Sequence, residues 1–175
     1  MSIRPDSAQV QDSGASGLQR VADAVSSPRP GPSLKARALK LLSMREHTRL
    51  ELERKLRVHA ESPEQLAQAL DALQAKGFIN EDRVVESVLH RRAARLGASR
   101  VRQELQAKGV AETAISEAMA QLRSTELARA REVWGKKFTH PPADAKERAK
   151  QMRFLISRGF GAEVVHRVVQ GADEA

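Results

Sequence analysis

The chain has 175 residues, enough for one ordinary domain or a row of small units with a core. Hydrophobic residues make up 41%, but aromatics only 3%, with one Trp and no Tyr, so the core must be built from Leu, Val, Ala, Ile and Met, as in helices packed on helices. The absence of cysteine excludes disulfides, thiol catalysis and Cys-ligated zinc, and a net charge of +8 points to an anionic partner: nucleic acid, an acidic protein surface or anionic lipid.

Residues 1–33 are rich in Ser, Gly, Pro and Asp and close on "SSPRPGPS", where prolines forbid a helix. Little apolar surface is available to bury, so this segment reads as a disordered, charge-neutral tail in which "LQRVADAV" forms at most two turns of transient helix. It carries no apolar signal segment, and no 18-residue apolar run occurs anywhere, so the expectation is a cytoplasmic protein without a membrane span.

From Leu34 the pattern is helical throughout. The first helix is "SLKARALKLLSMR". Thr48 with Glu51 three residues on forms a capping box opening "TRLELERKLRVHA". Ser62-Pro63 opens the next helix and Gly77 stops it. Asn80 caps "EDRVVESVLHRRAARL", ended by Gly97, and Ser99 caps "RVRQELQAKG", ended by Gly109. "AETAISEAMAQL" follows, then Ser124 and Thr125 open "ELARAREVWGKKF". Beyond His140-Pro141-Pro142 come "ADAKERAKQMRFLISRG" and "GAEVVHRVV", for nine helices in all.

A repeat underlies them. Leu56, Leu105 and Leu155 are spaced by 49 and 50 residues; ten further on lie Leu66, Ile115 and Val165, and four beyond those Leu70, Met119 and Val169. Lys108-Gly109-Val110 matches Arg158-Gly159-Phe160, whereas the first unit has the longer "RVHAESPE" at that junction. The expected fold is all-α, with three tandem three-helix repeats at 34–79, 80–123 and 124–172. Each repeat is expected to share its apolar face with a neighbour, giving an elongated, curved body.

Nothing in the chain reads as catalytic. The five histidines, His47, His59, His90, His140 and His166, lie far apart without metal-ligand spacing, and the Gly159-x-Gly161 pair sits at a helix turn and not after a strand. No cofactor is expected. The arginines remain. On a wheel of "EDRVVESVLHRRAARL", Val85, Val88, Leu89, Ala93 and Leu96 form the apolar arc, with Arg91 and Arg95 along one edge. Arg92 falls inside the arc, where it must either extend its head to water or meet a carboxylate from another helix. Arg91, Arg95, Arg100, Arg102 and Lys108 form one basic cluster, opposed within 91–108 only by Glu104. Lys136, Lys137, Lys146, Arg148, Lys150 and Arg153 form a second. Such clusters suit sequence-independent phosphate or acidic-surface contact; Phe78, Phe138, Phe154, Phe160 and Trp134 read as core or junction residues, which disfavours recognition by base stacking.

The Gly77-Phe78-Ile79 turn with Asp82 and Arg83, followed by Gly97, Arg100, Val101, Arg102, Glu104, Leu105, Lys108 and Gly109, resembles the RecX family of regulatory proteins over residues 34–170. Two departures are Val84-Val85 after Arg83, where the family usually has Phe-Ala, and Ala98-Ser99, where Gly-Pro is often found; both fit packing or capping changes. The resemblance implies a non-enzymatic modulator of DNA recombination, repair and the SOS response. Such a modulator binds the RecA nucleoprotein filament and suppresses its ATPase, strand-exchange and co-protease activities. The partners expected are the RecA filament and, weakly, non-specific DNA, with no membrane and a monomeric chain. The competing reading is a non-specific DNA-binding module of helix-turn-helix-like units, which the same cations would serve.

Overall fold

In a computed structural model of the chain, which describes residues 31–171, nine α-helices and no strand are present among the described residues. They are α1 Leu34–Met44, α2 Arg49–Leu56, α3 Pro63–Ala75, α4 Glu81–Arg92, α5 Ala98–Ala107, α6 Glu112–Arg123, α7 Glu126–Gly135, α8 Ala145–Ser157 and α9 Ala162–Gly171, with a short 3-10 turn at Arg57–His59. Almost all of the expected tail lies outside the described residues. Local chemistry sets most of the boundaries. The Thr48 hydroxyl accepts from the Glu51 N–H while the Glu51 carboxylate accepts from the Thr48 N–H, closing the capping box, and Ser62 and Asn80 cap α3 and α4 through Gln65 N and Arg83 N.

Several boundaries differ from the sequence reading: α2 and α7 stop at Leu56 and Gly135, short of Ala60 and Phe138, and α4 and α5 differ where the second repeat meets the third. Helix α4 ends at Arg92 instead of running to Leu96, because the chain turns over 93–96 with the N–H groups of Arg95 and Leu96 both on the Arg92 carbonyl. Helix α5 is capped at Gly97, not Ser99, and no side chain of its own serves the cap.

Helices α1–α3, α4–α6 and α7–α9 form three repeats. All nine residues that set the repeat register are buried, from Leu56, Leu105 and Leu155 through Leu70, Met119 and Val169. The buried positions Ile115, Ala118 and Met119 of α6 recur fifty residues on as Val165, Val168 and Val169 of α9. The cores, however, are not shared as expected. One cluster runs from Leu34 to Ile79, a second from Val84 to Leu122 and a third from Ala130 to Val169, each drawn from its own three helices.

The repeats are joined instead through helix ends. Helices α3, α5 and α8 all finish in the same basic-Gly-apolar turn, with Gly77, Gly109 and Gly159 at φ of 73°, 75° and 88°. In each, the apolar residue's N–H reaches back to a carbonyl five residues earlier (Phe78 to Leu73, Val110 to Leu105, Phe160 to Leu155). Two of these turns dock on the preceding repeat. The Lys108 carbonyl ending α5 accepts from the Thr48 hydroxyl at the start of α2, at 2.6 Å. The carbonyls of Arg158 and Gly159, ending α8, accept from Gly97 N at 2.9 Å and Ser99 N at 3.1 Å at the start of α5. A helix start rich in unpaired N–H groups thus meets a helix end rich in unpaired carbonyls, and the two helix dipoles align favourably. The contact is close enough to exclude side chains: a Cβ on Gly97 would lie 2.2 Å from the Gly159 carbonyl oxygen.

Gly97→Ala therefore destabilises the protein by about 1–3 kcal/mol, the usual cost of overpacking a tight contact, read as a lower denaturation midpoint. Gly161→Ala, where a Cβ meets nothing within 4 Å, leaves the midpoint nearly unchanged.

Candidate functional site

The structure divides the expected site residues into those that hold the fold and those that face solvent. Lys108 belongs to the first group. Its side chain is only 12% exposed and its Nζ lies 2.8 Å from Glu51 Oε1, tying the second repeat to the first. Glu51 also accepts from Thr48 N at 3.1 Å and pairs with Arg45 at 3.2 Å. Burial alone would push its pKa up, but the Lys108 hydrogen bond, the Thr48 N–H and the nearby charges of Lys108 and Arg45 outweigh it and hold the pKa at about 2. His47, buried beside this group with no hydrogen-bond partner for Nδ1, is kept towards the neutral form by burial and by Arg45, against the pull of Glu51.

Arg100 and Arg102 are also engaged. Arg100 Nε donates to the Ser157 carbonyl at 3.3 Å across the junction of the second and third repeats, and Arg102 pairs with Glu112 at the start of α6. Arg92 meets a carboxylate from another helix, Glu104 of α5, at 2.9 Å, from an exposed position at the end of α4. Arg91 turns back onto its own helix, its Nε donating to the Ser87 carbonyl at 3.0 Å.

The structure brings part of the rest of the two clusters together where the second repeat meets the third. Arg95, on the turn after α4, shares a cleft of about 370 Å³ with Lys136 and Lys137, at the end of α7, and with Arg158; Ala94, Val133 and Phe154 supply its apolar lining. Lys137 also lines a second, smaller cleft of about 200 Å³ with Phe138, His140, Pro141, Glu147 and Lys150. Lys136 is 72% exposed, with Glu132 4.0 Å from its Nζ. Arg148 and Arg153 lie exposed on α8, outside both linings.

Two residues that build this border escaped the sequence reading. Arg129 of α7 donates from Nη1 to the carbonyls of Ala93 (2.8 Å) and Leu96 (2.9 Å), and from Nη2 to that of Leu122 (3.0 Å), fixing the turn that carries Arg95. Burial lowers its pKa, and Glu126 opposes the shift. Arg158 stands over the Phe154 ring at 5.2 Å from its centre, while Phe138 packs edge-on against that ring at 5.4 Å. Behind them buried Gln151 accepts from Trp134 Nε1 at 2.8 Å and donates to the His140 carbonyl, which anchors the Pro-Pro loop. The signal for Arg158 lay in the basic position of its glycine turn; Arg129 had none.

The exposed faces of the third helices are less basic. Helix α3 shows Glu64, Gln68 and Asp71, α6 shows Glu112, Ser116 and Glu117, and α9 shows Glu163, His166 and Arg167. Among the described residues no group of three or more His, Asp or Glu is placed to hold a metal ion, and no helix is long and apolar enough to cross a membrane.

This architecture defines a tandem three-helix-repeat protein. Residues 80–119 match the family model for the second three-helix domain of RecX and residues 124–169 that for the third. The chain is 54% identical over 149 residues to "Regulatory protein RecX" of Leptothrix cholodnii, covering 85% of this chain and 95% of that protein. It is 51% identical over 146 residues to the protein of the same name from Ralstonia nicotianae, covering 83% and 92%. The crystal structure of RecX from Lactobacillus salivarius superposes with a TM-score of 0.68 at 20% identity, over 81% of this chain and 96% of that one, which establishes the likeness of fold. The chain belongs to the RecX family of regulatory proteins.

The Glu51 linkage sets a pH dependence. A carboxylate whose folded pKa of about 2 lies below the ordinary 4.5 stabilises the fold above about pH 4.5, and that stabilisation is lost as pH falls towards 2. Glu51→Gln is therefore expected to cost up to about 3 kcal/mol at neutral pH, with the gap to the native chain closing below about pH 3, as read from urea unfolding across that range.

Proposed function

We propose that this protein is a non-enzymatic negative regulator of the RecA recombinase. It binds the RecA nucleoprotein filament through the cationic border of its second and third repeats and lowers the filament's ATPase, strand-exchange and co-protease activities. Family membership supports the regulatory class, and the resemblance read in the sequence supplies RecA as the partner. The observation that carries the choice of surface is the sorting of cations. Arg100, Arg102 and Lys108 are engaged within the fold, whereas Arg95, Lys136, Lys137 and Arg158 line one open cleft.

A helix-turn-helix-like DNA reader is less well supported. That mode lays the last helix of each unit in the major groove, against phosphates on both sides. Here the exposed faces of α3 and α6 carry Glu64 and Glu117, and their other carboxylates, Asp71 and Glu112, hold Arg49 and Arg102 in ion pairs, so neither face offers phosphate a surplus of cations.

The test is the RecA ATPase on single-stranded DNA, titrated with the wild-type protein and with the Arg95→Glu/Lys136→Glu/Lys137→Glu variant. Wild type is expected to inhibit at substoichiometric ratios to RecA, and the variant to need about tenfold more protein or beyond, a loss of about 1.4 kcal/mol. Inhibition only at amounts that coat the DNA would make competition for DNA the better account. No inhibition at any ratio would end the regulator reading, and full inhibition by the variant would move the contact to another face.

A further inference from the structure

The geometry points to the cleft between the second and third repeats as a binding site for a single-stranded polynucleotide, held by its phosphodiester backbone. This deepens the regulator reading, on which its biological sense rests, by naming the component of the filament that the cleft takes.

The lining of the larger cleft contains four cations, Arg95, Lys136, Lys137 and Arg158, and no carboxylate. A pocket of one sign with low-dielectric walls concentrates a ligand of the opposite sign. Its apolar lining, Ala94, Val133 and Phe154, would be left unused by a smooth duplex, which presents only phosphates and sugars to a contact of this kind. A single strand offers unpaired base faces as well as phosphates, and the guanidinium of Arg158, held at 5.2 Å over the Phe154 ring, is the planar, charged platform on which a base stacks. Lys137 lines both clefts, so the cationic surface continues past Phe138 towards Lys150, with Glu147 beside it in the second lining. The expectation that the aromatics are core or junction residues fails at several positions, since Phe78 is 45% exposed and Trp134, Phe138 and Phe154 are only partly buried; of these, Phe154 lines the larger cleft.

The site is composite. Arg95 comes from the second repeat and the other three cations from the third. Arg129, by binding the Ala93 and Leu96 carbonyls, is the positioning residue that holds Arg95 across from them. No single repeat contains the whole lining, which distinguishes this site from a simple sum of basic helices.

The test is fluorescence anisotropy of a labelled oligothymidylate with the full-length protein and no RecA, over a salt series. Four phosphate contacts at about 0.7 each give a log–log salt slope near −3 for a single strand. The expected result is such a slope, weaker binding of a duplex of equal length, and failure of poly-glutamate to compete at equal charge. Lys136→Glu/Lys137→Glu is expected to lower affinity by tenfold or more and to shrink the slope by about 1.4. The control, Lys35→Glu/Lys40→Glu, changes net charge equally at exposed positions of α1 and leaves binding within about twofold. Equal losses in both pairs would mean diffuse attraction without a site, and so overturn the proposal. It is overturned too by poly-glutamate displacing the strand, which would make the cleft a dock for acidic protein, or by wild type failing to bind at all. Because RecA is absent, any of these failures leaves the ATPase test of the regulator reading intact.

Discussion

An α-helix begins with N–H groups and ends with carbonyls that its own ladder cannot pair, and each must find a partner or remain in water. In this protein that constraint joins the repeats. The start of α2 receives the end of α5, and the start of α5 receives the end of α8, so the second helices of successive repeats meet end to tip through Thr48–Lys108 and through Gly97–Arg158 and Ser99–Gly159. Each repeat keeps its own apolar core, and specificity of register comes from directional hydrogen bonds. The arrangement explains why Gly97 can cap α5 without a polar side chain: its neighbours' donors are served by Arg158, Gly159 and the Glu126 carboxylate, which accepts from Ala98 N at 3.3 Å. At the other end α8 caps itself, with Asp144 accepting from Glu147 N and Glu147 from Ala143 N.

The same junctions decide which cations are available for function. Between the first two repeats the basic side chains are turned inward to the junction: Lys108 and Arg45 on Glu51, and Arg83 on Glu46. Between the second and third repeats, backbone groups with Arg100 and Arg129 make the joint instead, and Arg95, Lys136, Lys137 and Arg158 line an open cleft. Composition follows this division, for residues 124–172 carry ten Lys and Arg against five Asp and Glu, whereas 80–123 carry eight against six. A net charge of +8 is therefore not spread as a uniform coat.

Most of the fold was legible because its signals are local. Thr48 with Glu51, Ser62-Pro63, Asn80, and the glycines at 77, 109 and 159 each act within a few residues, and the spacing of Leu56, Leu105 and Leu155 reported the repeat directly. The site was less legible because its determinants are distant. Lys108 and Glu51 are 57 residues apart, and Arg129 reaches carbonyls 33 and 36 residues earlier, contacts that no helical wheel contains. Arg100, Arg102 and Lys108 thus looked as available in sequence as Arg95 does in the structure. For Arg92 the wheel's demand for water or a carboxylate from another helix is met by Glu104, although α4 stops there and the apolar arc drawn through Leu96 does not exist as one helical face.

The most direct measurement on the end-to-end account is hydrogen exchange at the Gly97 and Ser99 amides of the intact protein. Both are predicted to exchange well below open-chain rates, yet faster than amides in the centres of α5 and α8, because opening a junction exposes fewer groups than unfolding a repeat. Exchange of both amides at the rate of an unstructured chain would mean that the second and third repeats are not joined through their helix ends, and would contradict the account.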